Sequence, residues 1–251
     1  MSDGWRSYSP GPDALAGRVI MVTGATSGIG RAVARGLVQH GATAVLHGRS
    51  ERALEALYQE LRALGPEPSV AQLDFERAQG AEYQALAEAV ESRYGRLDGL
   101  LHNAGVLGVL SPIEHYDVAL WQRVMHVNVT AQFVLTRTLL PLLKRSADAS
   151  LLFTTSTVGH RGRAYWGAYC VSKFATEGLF QILADELEKT SVRVNCVNPG
   201  RTRTRMRAQA YPAEDPQTLP APETLVPAYL YLLGPAGRDV RGQRIDLQPA
   251  T

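Results

Sequence analysis

The chain has 251 residues, 45% of them hydrophobic and 20% charged, with a formal net charge of +2. That length supports one full hydrophobic core, and the near-neutral balance gives no case for a nucleic-acid partner or a membrane surface. Two cysteines, Cys170 and Cys196, stand in no Cys-x-x-Cys or Cys/His pattern, so nothing points to a metal site or a disulfide framework. With no signal-like or membrane-length apolar run, the cytoplasm is the expected compartment.

Residues 1–13 are rich in Gly, Pro and Ser and read as a flexible arm, with a single domain expected over 14–251. Residues 18–22 form a β-branched run with the pattern of a buried parallel strand. The run breaks into Thr23-Gly24-Ala25-Thr26-Ser27-Gly28-Ile29-Gly30 and then into a helical pattern over 31–39. Strand, glycine turn and helix together are the context in which a glycine motif binds a dinucleotide. Gly24 permits the tight turn, Gly28 lets backbone approach a pyrophosphate, and Gly30 lets helix pack on strand.

A second strand over 42–47 ends in Gly48-Arg49-Ser50, about 20 residues past the glycines, where NAD-preferring sites place an acid for the ribose diol. Here Arg49 offers a guanidinium suited to a 2′-phosphate, which predicts NADP(H) over NAD(H). An amphipathic helix over 51–64, a strand over 69–73, a helix over 81–94 and a strand over 97–102 complete a βαβαβαβ alternation. That order predicts a parallel sheet of about seven strands with helices on both faces and ligands at the strands' carboxyl ends. Asp74 and Asn103 lie at such ends; Asp74 suits either an adenine amine or an N-cap.

Residues 117–144 read as one long helix, with Asn128 inside its apolar pattern. An inward asparagine needs partners: it is either a satisfied core residue, or it bends the helix and seats a water beside Lys173. A fifth strand over 150–155 leads to Ser156, whose hydroxyl is placed to hold a carbonyl oxygen. Tyr169 and Lys173, four apart on the next helix, share a face, and the ammonium is expected to lower the phenol's pKa toward that of a usable acid or base. Cys170 points about 100° away and is given no role. After a strand over 192–197 come Asn198-Pro199-Gly200 and four alternating arginines, Arg201, Arg203, Arg205 and Arg207. These border either cofactor phosphates or an anionic substrate, or are a solvated loop. Prolines 212, 216, 220 and 222 make 211–222 irregular, so a short substrate lid is expected near 201–222, followed by a helix over 223–233 and a strand over 244–247.

Assembled, these residues resemble the short-chain dehydrogenase/reductase family over nearly the whole chain. Thr23-Gly24-x-x-x-Gly28-Ile29-Gly30 is similar to its cofactor loop, Asn103-Ala104-Gly105 to its Asn-Ala-Gly turn, and Pro199-Gly200 to its nicotinamide loop. Asn128, Ser156, Tyr169 and Lys173 fall on its four catalytic positions. Leu97-Asp98-Gly99, Trp166-Gly167-Ala168-Tyr169 and Lys173-Phe174-Ala175-Thr176-Glu177-Gly178 resemble its bacterial YciK-type group. Two departures stand out: His102 replaces a usual asparagine, and Asp246-Leu247-Gln248 replaces a common Asp-Gly-Gly. The resemblance implies a Rossmann-like fold and hydride transfer between a nicotinamide and a small carbonyl or alcohol substrate. Tyr169 would be proton donor, Ser156 would orient the oxygen, Lys173 would hold the nicotinamide ribose and Asn128 a water. Cofactor contacts are implied at Gly24, Thr26, Ser27, Gly28, Ile29, Gly30, Arg49, Asp74, Asn103, Ala104, Gly105, Tyr169, Lys173, Pro199, Gly200, Thr202 and Thr204, and a homodimer or homotetramer is expected. An NAD-linked alcohol dehydrogenase and a non-catalytic dinucleotide sensor are the rival readings.

Overall fold

The structure, a computed structural model, describes residues 4–249. Strands β1 (Val19–Val22), β2 (Thr43–Gly48), β3 (Ser69–Gln72), β4 (Gly99–His102), β5 (Ala149–Thr154), β6 (Val192–Asn198) and β7 (Arg244–Asp246) form one parallel sheet in the order β3-β2-β1-β4-β5-β6-β7. Helices α1 (Gly28–Gln39), α2 (Glu51–Leu61), α3 (Gly80–Tyr94), α4 (Val118–Met125), α5 (Ala131–Lys144), α6 (Gly167–Glu186), α7 (Arg205–Ala210) and α8 (Val226–Leu233) complete the chain. This is the doubly wound, Rossmann-like α/β fold expected from the alternation.

The central strands are continuous apolar runs because both faces of the sheet are covered. Every residue of β1, β4, β5 and β6 is buried. Alternate side chains of β1 enter opposite cores: Ile20 and Val22 pack with Val33, Leu37, Leu54 and Leu230, whereas Val19 and Met21 pack with Val90, Leu135, Leu139 and Phe180. From β1 the chain winds outward to β3, then returns to place β4 on the other side of β1. The reversal opens a crevice beyond the carboxyl ends of β1 and β4. Thr23 closes its floor: its hydroxyl donates to the Leu101 carbonyl (3.1 Å) and accepts from the amides of Asn103 (2.9 Å) and Ala104 (3.0 Å).

Three segments depart from the sequence reading. The helix expected over 117–144 is interrupted by a π-helical turn, His126–Thr130, between α4 and α5. Asn128 sits in it, wholly buried; its side chain takes hold of the Val106 backbone through N–H···Oδ1 (2.8 Å) and Nδ2–H···O (2.9 Å) bonds. Such a side-chain demand is a recognised cause of a local widening of the helix. The arm expected to be loose over 1–13 is docked over its described part: Gly4–Arg6 is a 3-10 turn, Trp5 is buried against the α1/α8 core, and Tyr8 meets Tyr231 edge to face at 5.2 Å. The indole has more apolar surface to bury than composition alone discloses; residues 1–3 lie outside the described part. Finally, 201–222 is not wholly irregular. Thr204 caps α7 by accepting from the Arg207 amide (3.2 Å), and the prolines confine the remainder to short 3-10 turns.

Candidate active site

A cavity of about 280 Å³ lies over the crevice. Its floor is Gly24, Ser27, Gly28 and Ile29 on one side and Asn103, Ala104 and Gly105 on the other; Ser156, Tyr169, Lys173, Pro199, Gly200, Thr202 and Thr204 complete the polar wall. Gly24 and Gly28 hold left-handed φ angles of 65° and 52°, which a residue with a Cβ rarely adopts. A Cβ on Gly30 would come within 2.3 Å of the Gly24 carbonyl oxygen, so Gly30 serves the packing of α1 rather than the cavity itself. Ser27, the N-cap of α1, makes no capping bond with its side chain, and the first turn carries no acid. The amides at a helix N-terminus, which have no partner within the helix, beside a backbone without Cβ atoms fit the pyrophosphate of a dinucleotide.

Five expected site residues stand off this cavity. Gly30 is one; Thr26 lies beside Gly48, its methyl 3.2 Å from where a Gly48 Cβ would be. Asp74 accepts from the Glu76 amide (3.0 Å), the turn-capping alternative of its two readings. Arg49 is largely exposed and paired with Glu76 (2.9 Å), an acid that Arg123 also holds at 2.6 Å. Asn128 completes its bonding by donating to the Ser172 hydroxyl (3.0 Å), so its amide supports α6 from below.

At the closed end, Tyr169 and Lys173 project from α6 toward Ser156, which starts the 3-10 turn Thr157–Gly159 after β5. The Lys173 ammonium lies 5.6 Å from the Tyr169 ring centroid and donates to the Thr154 carbonyl at 2.7 Å. This corrects the expected acidity. Burial pushes the Tyr169 phenol up to about 12, and the nearby Ser156 hydroxyl pulls the other way. Burial instead loosens the Lys173 proton, to about 8, while Cys196 and Glu177 act to retain it. Desolvation dominates because Leu107, Val158, Trp166 and Cys170 enclose the phenol, and the ammonium is turned to a carbonyl. Cys170 is buried and directed to the Val158 carbonyl (3.1 Å), away from the cavity.

Several lining residues were not anticipated. Leu107, Trp166, Met206, Ala210 and Tyr211 form an apolar wall, brought by the loop after β4, the start of α6 and α7. Their signal was the aromatic spacing around Tyr169 and the Tyr211 of the lid. The arginine run divides in two. Arg207 is fixed by Glu214 (2.6 and 2.7 Å) and lies over Tyr211 at 3.7 Å, and Arg203 donates to Gln217 (3.0 Å). Arg201 and Arg205 line the cavity and form no salt bridge among the described residues.

Comparison with known proteins agrees with this arrangement. The sequence profile described as short chain dehydrogenase matches residues 18–215. The uncharacterized oxidoreductase YciK of Escherichia coli K12 is 48% identical over 243 residues, covering 96% of each chain. Among solved structures, a short chain dehydrogenase from Pseudomonas syringae is 55% identical with a TM-score of 0.94, covering 96% of this chain and 99% of its own. Another, from Escherichia coli CFT073 and complexed with NADPH, is 48% identical with a TM-score of 0.93, covering 96% and 100%. Fold, the match of residues 18–215 and similarity over almost the full length lead to one conclusion: the chain belongs to the short chain dehydrogenase family, and is an oxidoreductase acting on CH–OH and C=O groups.

Proposed function

We propose that the protein is an NADP(H)-preferring oxidoreductase interconverting a small carbonyl compound and its secondary alcohol. The observation that carries the reading is that Ser156, Tyr169 and Lys173 line one cavity, which the α1 N-terminus also faces. When bound, the reduced nicotinamide supplies the hydride. The α1 amides and Ser27 would hold its pyrophosphate, Thr202, Thr204, Pro199 and Gly200 its nicotinamide half, Lys173 its ribose, and Arg49 the 2′-phosphate. The absence of an acid at the end of β2, and the NADPH and NADP bound to two solved relatives, support the choice of NADP(H).

Tyr169 gives its proton to the carbonyl oxygen as negative charge builds there, and Ser156 donates a hydrogen bond that orients the same oxygen. A phenol near 12 keeps its proton until that charge appears, which suits the reducing direction; in the reverse direction it takes the proton back. Asn128 acts by fixing α6 through Ser172. The apolar wall favours a substrate with an apolar body, and the unpaired Arg201 and Arg205 favour one bearing an anionic group. Residues 201–222 would serve as the lid. Phe133 of α5 and Val171, Phe174 and Ile182 of α6 are exposed, which supports packing against a second copy. Free thiols at Cys170 and Cys196 fit a reducing compartment such as the cytoplasm.

The test is consumption of NADPH with a panel of diketones, β-keto esters, aldehydes and quinones. Tyr169→Phe is expected to bind NADPH with the parent's affinity and to lose about 10²–10⁴-fold in turnover. Full turnover in that variant would remove the assignment.

A further inference from the structure

Beside Ser156 runs a polar network that starts at the buried Glu177, passes through cavity-lining Thr155, Thr157 and Asn198, and reaches the surface at Asp246 and His160; the reaction as read assigns no role to Glu177 or Arg244. Glu177, one helical turn beyond Lys173 and almost fully buried, accepts at Oε1 from both the Thr155 hydroxyl (2.7 Å) and Nε of Arg244 (2.9 Å). Arg244 reaches from β7 to Asp246 (2.6 Å) and to His160 Nδ1 (2.9 Å). Asp246 accepts from Asn198 Nδ2 (2.6 Å), which also donates to the Thr157 hydroxyl (3.3 Å), and the Asn198 Oδ1 accepts from the Gly200 amide (3.2 Å). The residues on both sides of Ser156 are therefore tied, and the same network grips the Asn198–Gly200 segment. The turn lies against the carboxylate so closely that a Cβ on Gly159 would fall 2.3 Å from Thr155 Oγ1 and 2.6 Å from Glu177 Oε1.

We infer that Glu177 and Arg244 are positioning residues of the reaction, a carboxylate–guanidinium strut that fixes the Ser156 turn and the Asn198–Gly200 segment relative to Tyr169. The inference rests on the reading of Ser156 and Tyr169 as the hydroxyls that handle the carbonyl oxygen. Misplacement of an orienting group by a fraction of an ångström lowers turnover more than binding. Glu177 has a second effect, because it is the acidic side chain acting on Lys173. The groups facing Lys173 are Glu177 and Tyr169 on its own helix, Cys196 on β6 and His102 on β4; those facing Glu177 are Arg244, with Asp246 and His160 behind it.

The test compares Glu177→Gln, Arg244→Lys and Arg244→Met, using the carbonyl turned over fastest in the panel above. Glu177→Gln keeps the size and one acceptor, and is expected to bind one NADPH per chain. Its kcat should fall about tenfold while the carbonyl KM changes less than about threefold. The alkaline limb of its kcat profile should move to lower pH, because loss of the neighbouring negative charge loosens the Lys173 proton. Arg244→Met should lose a similar factor and Arg244→Lys should recover part of it. Without cofactor, amide exchange in 155–160 and 198–200 should quicken by about threefold or more while peptides of β1 and α1 keep the parent's rates. Parent values of kcat per bound NADPH with an unmoved pH limb and unchanged local exchange would overturn the inference; should Glu177→Gln not fold, equal rates in the two Arg244 variants do so. Ser156→Ala is run alongside: if it retains full rate the reading of the site fails, and if it is slow while Glu177→Gln is fast only the strut fails.

Discussion

Asn128 is bound to the backbone of Val106 at both its amide groups, 2.8 Å at the carbonyl and 2.9 Å at the nitrogen, from the middle of a π-helical turn. The helix that carries it is thereby pinned to the loop that leaves β4 at the crevice. Asn128→Leu preserves volume and strands the partly buried N–H and C=O of Val106. A fully buried orphan costs about 1–3 kcal/mol and a partly buried one less, so a lowered urea midpoint is expected. The turnover of the fraction that remains folded should also fall, since Ser172 loses its partner beneath Tyr169.

The proposed preference for NADP(H) rests on Arg49. Its present partner, Glu76, is held below the usual carboxylate range chiefly by Arg123, with Arg49 contributing less. A 2′-phosphate could take Arg49 and leave Glu76 still paired. Arg49→Ala is expected to raise the NADPH dissociation constant about tenfold and to leave that of NADH within about twofold. Fluorescence titration of both cofactors checks it; equal weakening would remove the contact.

Acid stability follows from two buried imidazoles. His47 stacks on Phe75 and His102 on Phe153, and burial lowers them to about 4 and about 3. The unfolded chain protonates these rings near pH ~6.5, so below that value the unfolded state binds more protons and stability falls as pH drops toward the folded values. For His47 alone the loss is about 3 kcal/mol across the window. Urea midpoints from about pH 7 down to about pH 5 should fall, and His47→Phe should flatten the slope.

The two unpaired arginines give a specificity prediction. Replacement of Arg201 and Arg205 by alanine should raise KM about tenfold for a keto acid and leave that of its ester within about twofold. Steady-state kinetics on the matched pair reads this directly. A keto acid and ester affected alike would assign the arginines to the cofactor or to solvent.

The sheet was legible because strands covered on both faces must be apolar throughout, as in Leu151-Leu152-Phe153, and because glycine turns mark where they end. The convergence of Ser156 and Tyr169 was legible from spacing on a helix and a strand end. Other features depend on partners distant in the chain. Arg49 meets Glu76 only because β2 and β3 pair, and α7 escaped notice because six residues rich in arginine between prolines carry no helical period. The Tyr169 acidity was misjudged for a related reason: a lysine four residues on discloses a charge, whereas the desolvation that dominates comes from Leu107 and Val158 on other elements.

The Thr23 hydroxyl, with three hydrogen bonds across the join of β1 and β4, makes the base of the cleft stiff. On the proposed reading, opening for a reactant is expected above it, in the proline-punctuated segment 201–222. A mutagenic library aimed at new reactants belongs in that segment, where changes leave the rigid nucleotide half untouched; one aimed at the base would forfeit the framework before it altered selectivity.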